Sequence, residues 1–222
     1  MSTCLEQDIN CPCGEEFDAR LWSSVNTQTD PALRDEILAG QLNVVKCPRC
    51  RRFIYAERFV LYHDPSVELM VFVYPAAYAS EEERWRKKTE EDYKSVLGAV
   101  NEKERLPYGA LSVFGLDRLV ELLRREQAAA DEEAVFESLA PSLSLQIGCL
   151  GSSVARENAL PSRLPLSGDA TDSPEDRLRE GLRVLLAAND RLASYAAAAE
   201  RLARRAFDPA GLLSGHSQKK GG

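Results

Sequence analysis

No stretch of this 222-residue chain approaches the eighteen or so uninterrupted apolar residues that a membrane helix requires, so a helical span is excluded. The start, Met1 to Asp8, lacks the basic and apolar regions of a secretory leader, and the expectation is a cytoplasmic protein without a membrane partner. Histidine is scarce, at two residues, and no glycine-rich phosphate loop, nucleophile elbow or His-Glu-x-x-His pattern occurs. The usual starting points for hydrolysis or phosphoryl transfer are therefore missing. Positive charge is short as well: 28 Lys and Arg against 35 Asp and Glu leave a net charge of −7. That balance works against nonspecific binding to nucleic acid, which depends on cations neutralising phosphates.

What the chain does hold is six cysteines, four of them in two tight pairs: Cys11-Pro12-Cys13-Gly14 and Cys47-Pro48-Arg49-Cys50. In a cytoplasmic protein disulfide staples are rare, so close pairs point to metal or redox chemistry. Zn2+ takes four soft ligands at tetrahedral corners, and a short cysteine turn delivers two sulfurs to one ion. Cys11, Cys13, Cys47 and Cys50 would fill all four corners, leaving no position for a catalytic water. The first pair is one residue shorter than the usual spacing, and Gly14 can relieve the tightened turn by taking a positive φ. A dithiol redox reading needs a helix N-terminus to stabilise the thiolate. Arg51 to Tyr55 reads instead as a strand, which favours metal. Cys4 is a spare thiol in the flexible start, and Cys149 is expected to pack as a small apolar residue.

Along the chain, Asp30-Pro31 and Gly40 bracket a short helix carrying Leu33, Ile37 and Leu38. Leu42 to Lys46, Phe53 to Tyr62 and Val67 to Tyr74 are rich in β-branched and aromatic residues and read as strands, the last two joined by a turn at His63-Asp64-Pro65-Ser66. Ser80 and Glu83 suggest a capping box ahead of a helix that carries Trp85 and Tyr93. A strand at Ala110 to Phe114 and an amphipathic helix from Leu116 follow. Residues 1–140 can close one core. Residues 141–173 lose any sustained period and read as a linker or an arm, although Leu143, Leu145, Ile147 and Leu150 could strap onto the domain. Ser173-Pro174-Glu175-Asp176 opens a helix expected to run over 174–207, with a seam of Leu178, Leu182, Leu185, Asn189 and Leu192. In heptad terms Asn189 takes an a position, where asparagine favours a two-stranded register. The seam fits either a homodimeric coiled coil or packing against its own domain. Residues 208–222 read as a disordered tail.

Two further features bear on function. His63-Asp64 invites a catalytic reading, but neighbours on an extended segment point to opposite faces, so Asp64 is expected to cap the bend and His63 to pack or hydrogen-bond nearby. Arg49, Arg51 and Arg52 sit beside the second cysteine pair, with Phe53 and Tyr55 following. They offer a nucleic-acid contact of cations and stacking rings.

These motifs resemble the CpXC domain family, bacterial and archaeal proteins named for paired Cys-Pro-X-Cys motifs. The resemblance runs over residues 9–140: both cysteine motifs, Ser24-Val25-Asn26, Asp30-Pro31, Leu38 to Gly40, Leu61-Tyr62-His63-Asp64, and Val113-Phe114-Gly115-Leu116-Asp117. It departs at two points: the first motif lacks its X residue, and Arg51 stands where the family pattern has glycine. It implies the fold and the zinc but names no reaction. The expectation is an α+β protein: a small zinc-ribbon-like β domain with added helices, a linker and a long C-terminal helix. Its expected role is a non-catalytic zinc-stabilised adaptor that binds a protein partner or a second copy. The rivals are a nucleic-acid-binding zinc ribbon and an enzyme using His63.

Overall fold

Two long strands for which composition gives little warning open the chain. β1 (Thr3–Asn10) and β2 (Glu16–Asn26) pair antiparallel from Cys4↔Trp22 to Asn10↔Glu16. The computed structural model describes residues 1–99, 106–169 and 171–214, a mixed α+β chain in two units, Met1–Arg124 and Arg125–Gly222. In the first unit β2 leads to α1 (Ala32–Leu38), a small hairpin of β3 (Val44–Lys46) and β4 (Phe53–Tyr55), and then β5 (Val60–Asp64) and β6 (Leu69–Tyr74). After these come α2 (Glu82–Ala99), β7 (Ala110–Phe114) and α3 (Leu116–Leu139). The main sheet has the order β1-β2-β5-β6-β7, with β2/β5 and β6/β7 parallel and the other pairs antiparallel. β3 and β4 form a separate two-stranded sheet.

Strand alternation explains how this sheet is covered. Leu69, Val71 and Val73 of β6 join Leu33 and Ile37 of α1 and Leu116, Leu119 and Leu123 of α3 in one buried cluster. Tyr74 and Ser112 belong to the opposite pleat and meet α2, where Thr89 Oγ1 lies 3.0 Å from Tyr74 Oη and accepts from Ser112 Oγ at 2.8 Å. α1 ends as expected: Gly40 takes φ +68, and Gln41 N donates to Glu36 O at 2.8 Å. The segment Phe53 to Tyr62 is two strands in two sheets, because the chain leaves β4 at Ala56 and rejoins the main sheet only at Val60. Ser80 caps nothing: its hydroxyl donates to Ala77 O in a 3₁₀ stretch, and α2 starts at Glu82.

The β3–β4 hairpin has three residues per strand and needs outside support. Val45 and Ile54 pack on a cluster of Ile9, Leu21 and Ala56. Asn43, buried and at φ +60, supplies the rest. Its side-chain Oδ1 accepts from Trp22 N at 2.7 Å and its Nδ2 donates to Trp22 O at 2.9 Å, so its amide pairs with β2 as a strand residue would.

The second unit corrects the expected linker and long helix. Residues 141–173 contain β8 (Gln146–Cys149), α4 (Ser152–Glu157) and β9 (Arg163–Leu166), and β8 pairs antiparallel with β9. Leu145, Leu150, Ala155, Leu160, Leu164 and Leu166 are buried in the unit's own core. Their period is hidden because each element is too short to show one. The span 174–207 is α5 (Pro174–Ala188) and α6 (Ala193–Ala203), followed by α7 (Pro209–Ser214). Ser173 caps α5 as read, accepting from Asp176 N at 3.1 Å. Asn189 ends it: its backbone is extended and its Oδ1 accepts from Arg191 N at 3.1 Å, a local turn that competes with the helix. The asparagine expected to set a coiled-coil register is the helix terminator. Leu178, Leu182, Leu185 and Leu192, expected as an interaction seam, are each 3% exposed or less within this core. Gly181 packs on β9, where an added Cβ would lie 2.1 Å from Pro165 O. Of the expected disordered tail, 209–214 is α7, and 215–222 lies outside the described residues.

Carboxylates of α3 tie these pieces together. Glu126 takes Arg156 through both oxygens at 3.0 and 2.9 Å. Glu133 accepts from Ser162 N and Oγ at 2.5 and 2.6 Å, and Glu132 accepts from Ser194 N and Oγ at 2.8 and 2.5 Å, which fixes the start of α6.

Two outcomes follow for urea denaturation. Asn43→Ala removes both bonds to Trp22 and leaves its backbone groups unpaired, lowering stability by about 2 kcal/mol. Leu185→Ala opens a cavity in the second unit and lowers stability by about 3 kcal/mol, with the mass measured by light scattering unchanged.

Candidate metal centre

Both cysteine pairs sit in hairpin turns, the first between β1 and β2 and the second between β3 and β4. In the first turn Cys11 N donates to Glu15 O and Gly14 N to Cys11 O, each at 2.8 Å, and Gly14 takes φ +85 as its position after a shortened pair requires. In the second, Cys47 N donates to Arg52 O at 2.9 Å and Arg51 N to Cys47 O at 3.0 Å. Arg51 occupies φ +59, so a side chain sits in the left-handed region directly after the pair, as Gly14 does in the first turn. That conformation costs a non-glycine residue about 1 kcal/mol.

The two turns meet sulfur to sulfur. Cys11 Sγ lies 3.6 Å from Cys50 Sγ, and Cys13 Sγ lies 3.8 Å from Cys47 Sγ, so the close pairs cross from one hairpin to the other. All four sulfurs fall within 4.8 Å of one another, an arrangement that could hold one metal ion. Cys11 and Cys47 are buried, and Cys13 and Cys50 are half-buried. Burial acts to raise Cys47, but the amides of Cys50 and Arg49 and the thiols of Cys11 and Cys50 outweigh it and bring Cys47 down to about 7. The Cys50 amide lies 3.5 Å from Cys47 Sγ. Cys11 moves the other way: the Cys13 amide favours its thiolate, yet burial and the three surrounding thiols together push it up to about 12. Cys47 is thus ready to ionise near neutrality while Cys11 holds its proton, and a soft cation would displace that proton on binding. No helix begins at Cys50; β4 follows, as the sequence suggests.

The remaining candidates are scattered. Arg49, Arg51 and Arg52 are exposed on the rim of the second turn, and Arg49 makes a solvent-facing pair with Glu15 at 3.9 Å. Cys4 lies in β1 opposite Trp22, not in a loose start, and Cys149 is exposed at the end of β8, not packed inside. Asp64 caps the bend after β5, accepting from Ser66 N at 3.2 Å and Ser66 Oγ at 2.6 Å. His63 Nε2 instead lies 2.9 Å from Tyr108 Oη, and Tyr93 Oη donates to Tyr108 O. Burial lowers the His63 pKa, against an opposing pull from Asp64. Sequence reasoning passed over Asn43, whose position beside the apolar run of β3 is its only outward signal.

A family model described as CpXC protein matches residues 9–136. No curated protein and no solved structure matches.

Because the folded pKa of His63 lies below its ordinary value near 6.5, the unfolded chain takes up the proton more readily. The stability linked to this group is complete above about pH 6.5 and is lost as pH falls toward the lowered folded value. Urea midpoints measured from pH 8 to 5 should therefore fall more steeply for the wild type than for His63→Gln.

Proposed function

The chain belongs to the CpXC family, and we propose that its four cysteines bind one Zn2+ as a structural ion, holding a non-catalytic module whose surface binds a partner. The single observation that carries this reading is the convergence of four thiols from two hairpin turns. A tetrahedron with metal–sulfur bonds of about 2.3 Å has edges of about 3.8 Å. Two approaches between the turns, 3.6 and 3.8 Å, fit those edges without rearrangement. Bound zinc supplies a fixed tetrahedral centre. Cys47 provides the sulfur most easily deprotonated, the Cys50 amide supports the charge on it, and Gly14 and Arg51 turn the backbone away behind each pair.

Four protein sulfurs leave no open position for water or substrate, which separates this centre from the three-ligand sites of zinc hydrolases. The work left to the domain is recognition. The leucine seam of α5 and α6 cannot supply it, because those side chains form the second unit's own core. The surface of the first unit, shaped around the metal turns, is where a partner would dock.

Metal analysis of the purified protein should give about one zinc per chain. A strong chelator should lower the melting temperature by at least ten degrees, as expected when binding energy is folding energy. Cys47→Ser should lose the metal and show the same lowered melting point without chelator. Metal-free protein with an unchanged melting temperature would defeat the proposal.

A further inference from the structure

The β3–β4 hairpin turns one face inward and leaves the other partly open, most of all at Phe53. Register pairs Val44 with Tyr55 and Lys46 with Phe53, so these four share the face opposite to Val45 and Ile54, which pack inward. Phe53 is 73% exposed and Tyr55 is 43% exposed, the first among the most open large apolar side chains of the described residues. The two residues lie two apart on one strand, so their Cα atoms are about 7 Å apart. Lys46 Nζ lies 5.7 Å from the Phe53 ring centroid. Beyond it the metal turn carries Arg49, Arg51 and Arg52, all exposed.

These cations are not spent within the fold. Among the described residues Lys46, Arg51 and Arg52 have no carboxylate partner, and Arg49 has only the 3.9 Å contact to Glu15. In a chain of net charge −7, where most other surface arginines and lysines of α2, α3 and α5 pair with a Glu or Asp one turn away, this cluster stands apart. At the other end of the face, burial together with Glu57 and Asp117 pushes the Tyr55 hydroxyl up to about 12, so its ring is neutral at physiological pH.

We infer that this face of Lys46, Phe53 and Tyr55, together with the exposed arginines of the adjoining turn, Arg49, Arg51 and Arg52, binds single-stranded nucleic acid, with phosphates over the cations and bases on the two rings. The charge calls for an anionic chain. The rings decide which kind: carboxylate side chains gain little from a flat apolar surface, whereas unpaired bases stack on one at whatever sequence they present. A duplex keeps its bases stacked internally and out of reach of a hairpin this short. The acidic remainder of the molecule confines binding to the patch, so affinity is modest and depends on few charges. The inference rests on the metal reading above, since Arg49, Arg51 and Arg52 are arrayed by the second cysteine turn.

The test is fluorescence anisotropy of full-length, zinc-loaded protein with a labelled short oligothymidylate and an oligouridylate. Binding should appear at low salt with Kd on the order of 10 μM, and log K should fall against log salt with a slope near −3 for four cations. Phe53→Ala should weaken it roughly 5- to 150-fold, the loss expected for one stacked base. Arg52→Glu should weaken it comparably, and both variants should retain zinc and the wild-type melting temperature. No binding at low salt, an affinity indifferent to Phe53→Ala, or equal competition by an oligoglutamate of matched charge would overturn the inference, the last by showing a site for acidic polypeptide. Zinc is measured on the same samples. A loaded protein that fails to bind overturns this inference alone, while a metal-free one overturns the metal reading.

Discussion

Four thiols meet from two hairpin turns in the first unit, and on the proposed zinc reading they are the constraint on which its small hairpin depends. β1–β2 is long but edge-exposed, and β3–β4 is too short to persist in water unaided. The apolar cluster between them has only Ile9, Leu21 and Ala56 fully buried, which is too little surface to fix their relation firmly. Cys11 to Cys50 and Cys13 to Cys47 close the assembly at one end. Asn43 closes it at the other by borrowing the hydrogen-bonding pattern of a strand. On that reading metal-bound sulfur and the Asn43 amide do for this hairpin what a larger core does for the main sheet.

The two turns solve one backbone problem with different residues. Each pair must be followed by a left-handed residue so that the chain reverses behind the sulfurs, and glycine does this freely. The first turn uses Gly14; the second uses Arg51 at φ +59 and accepts the strain. What the second turn gains is a third arginine on the rim, next to Arg49 and Arg52.

Much of the architecture could be read from residues whose chemistry acts locally. The cysteine turns, Gly40 behind α1, Asp64 at its bend and Ser173 ahead of α5 each act through a bond to a near neighbour, and each stands where local reasoning put it. β1 and β2 escaped because Glu6, Asp8, Glu16 and Asp18 interrupt the apolar pattern along most of their paired length. The strand break after Tyr55 escaped because continuous β-favouring composition does not say which sheet a strand joins. Residues 141–173 looked structureless because their leucines are spread over three pieces of six residues or fewer.

The leucine seam of α5 and α6 marks the limit of periodicity as evidence. A stripe of leucines at three- and four-residue steps specifies that a face is buried, not what buries it. Here β9 and α3 lie within reach, Gly181 admits the backbone of β9, and Glu132 pins the start of α6, so the face is covered from inside its own unit. Asn189 shows the same limit in one residue, since an asparagine at an a position and an asparagine ending a helix look alike in sequence. A hydrophobic pattern that finds its partner locally is removed from the list of interaction surfaces. What remains is side chains for which the fold shows no packing role, and in the first unit these include an open aromatic ring and a set of sparsely paired cations on the hairpin that carries the second cysteine pair.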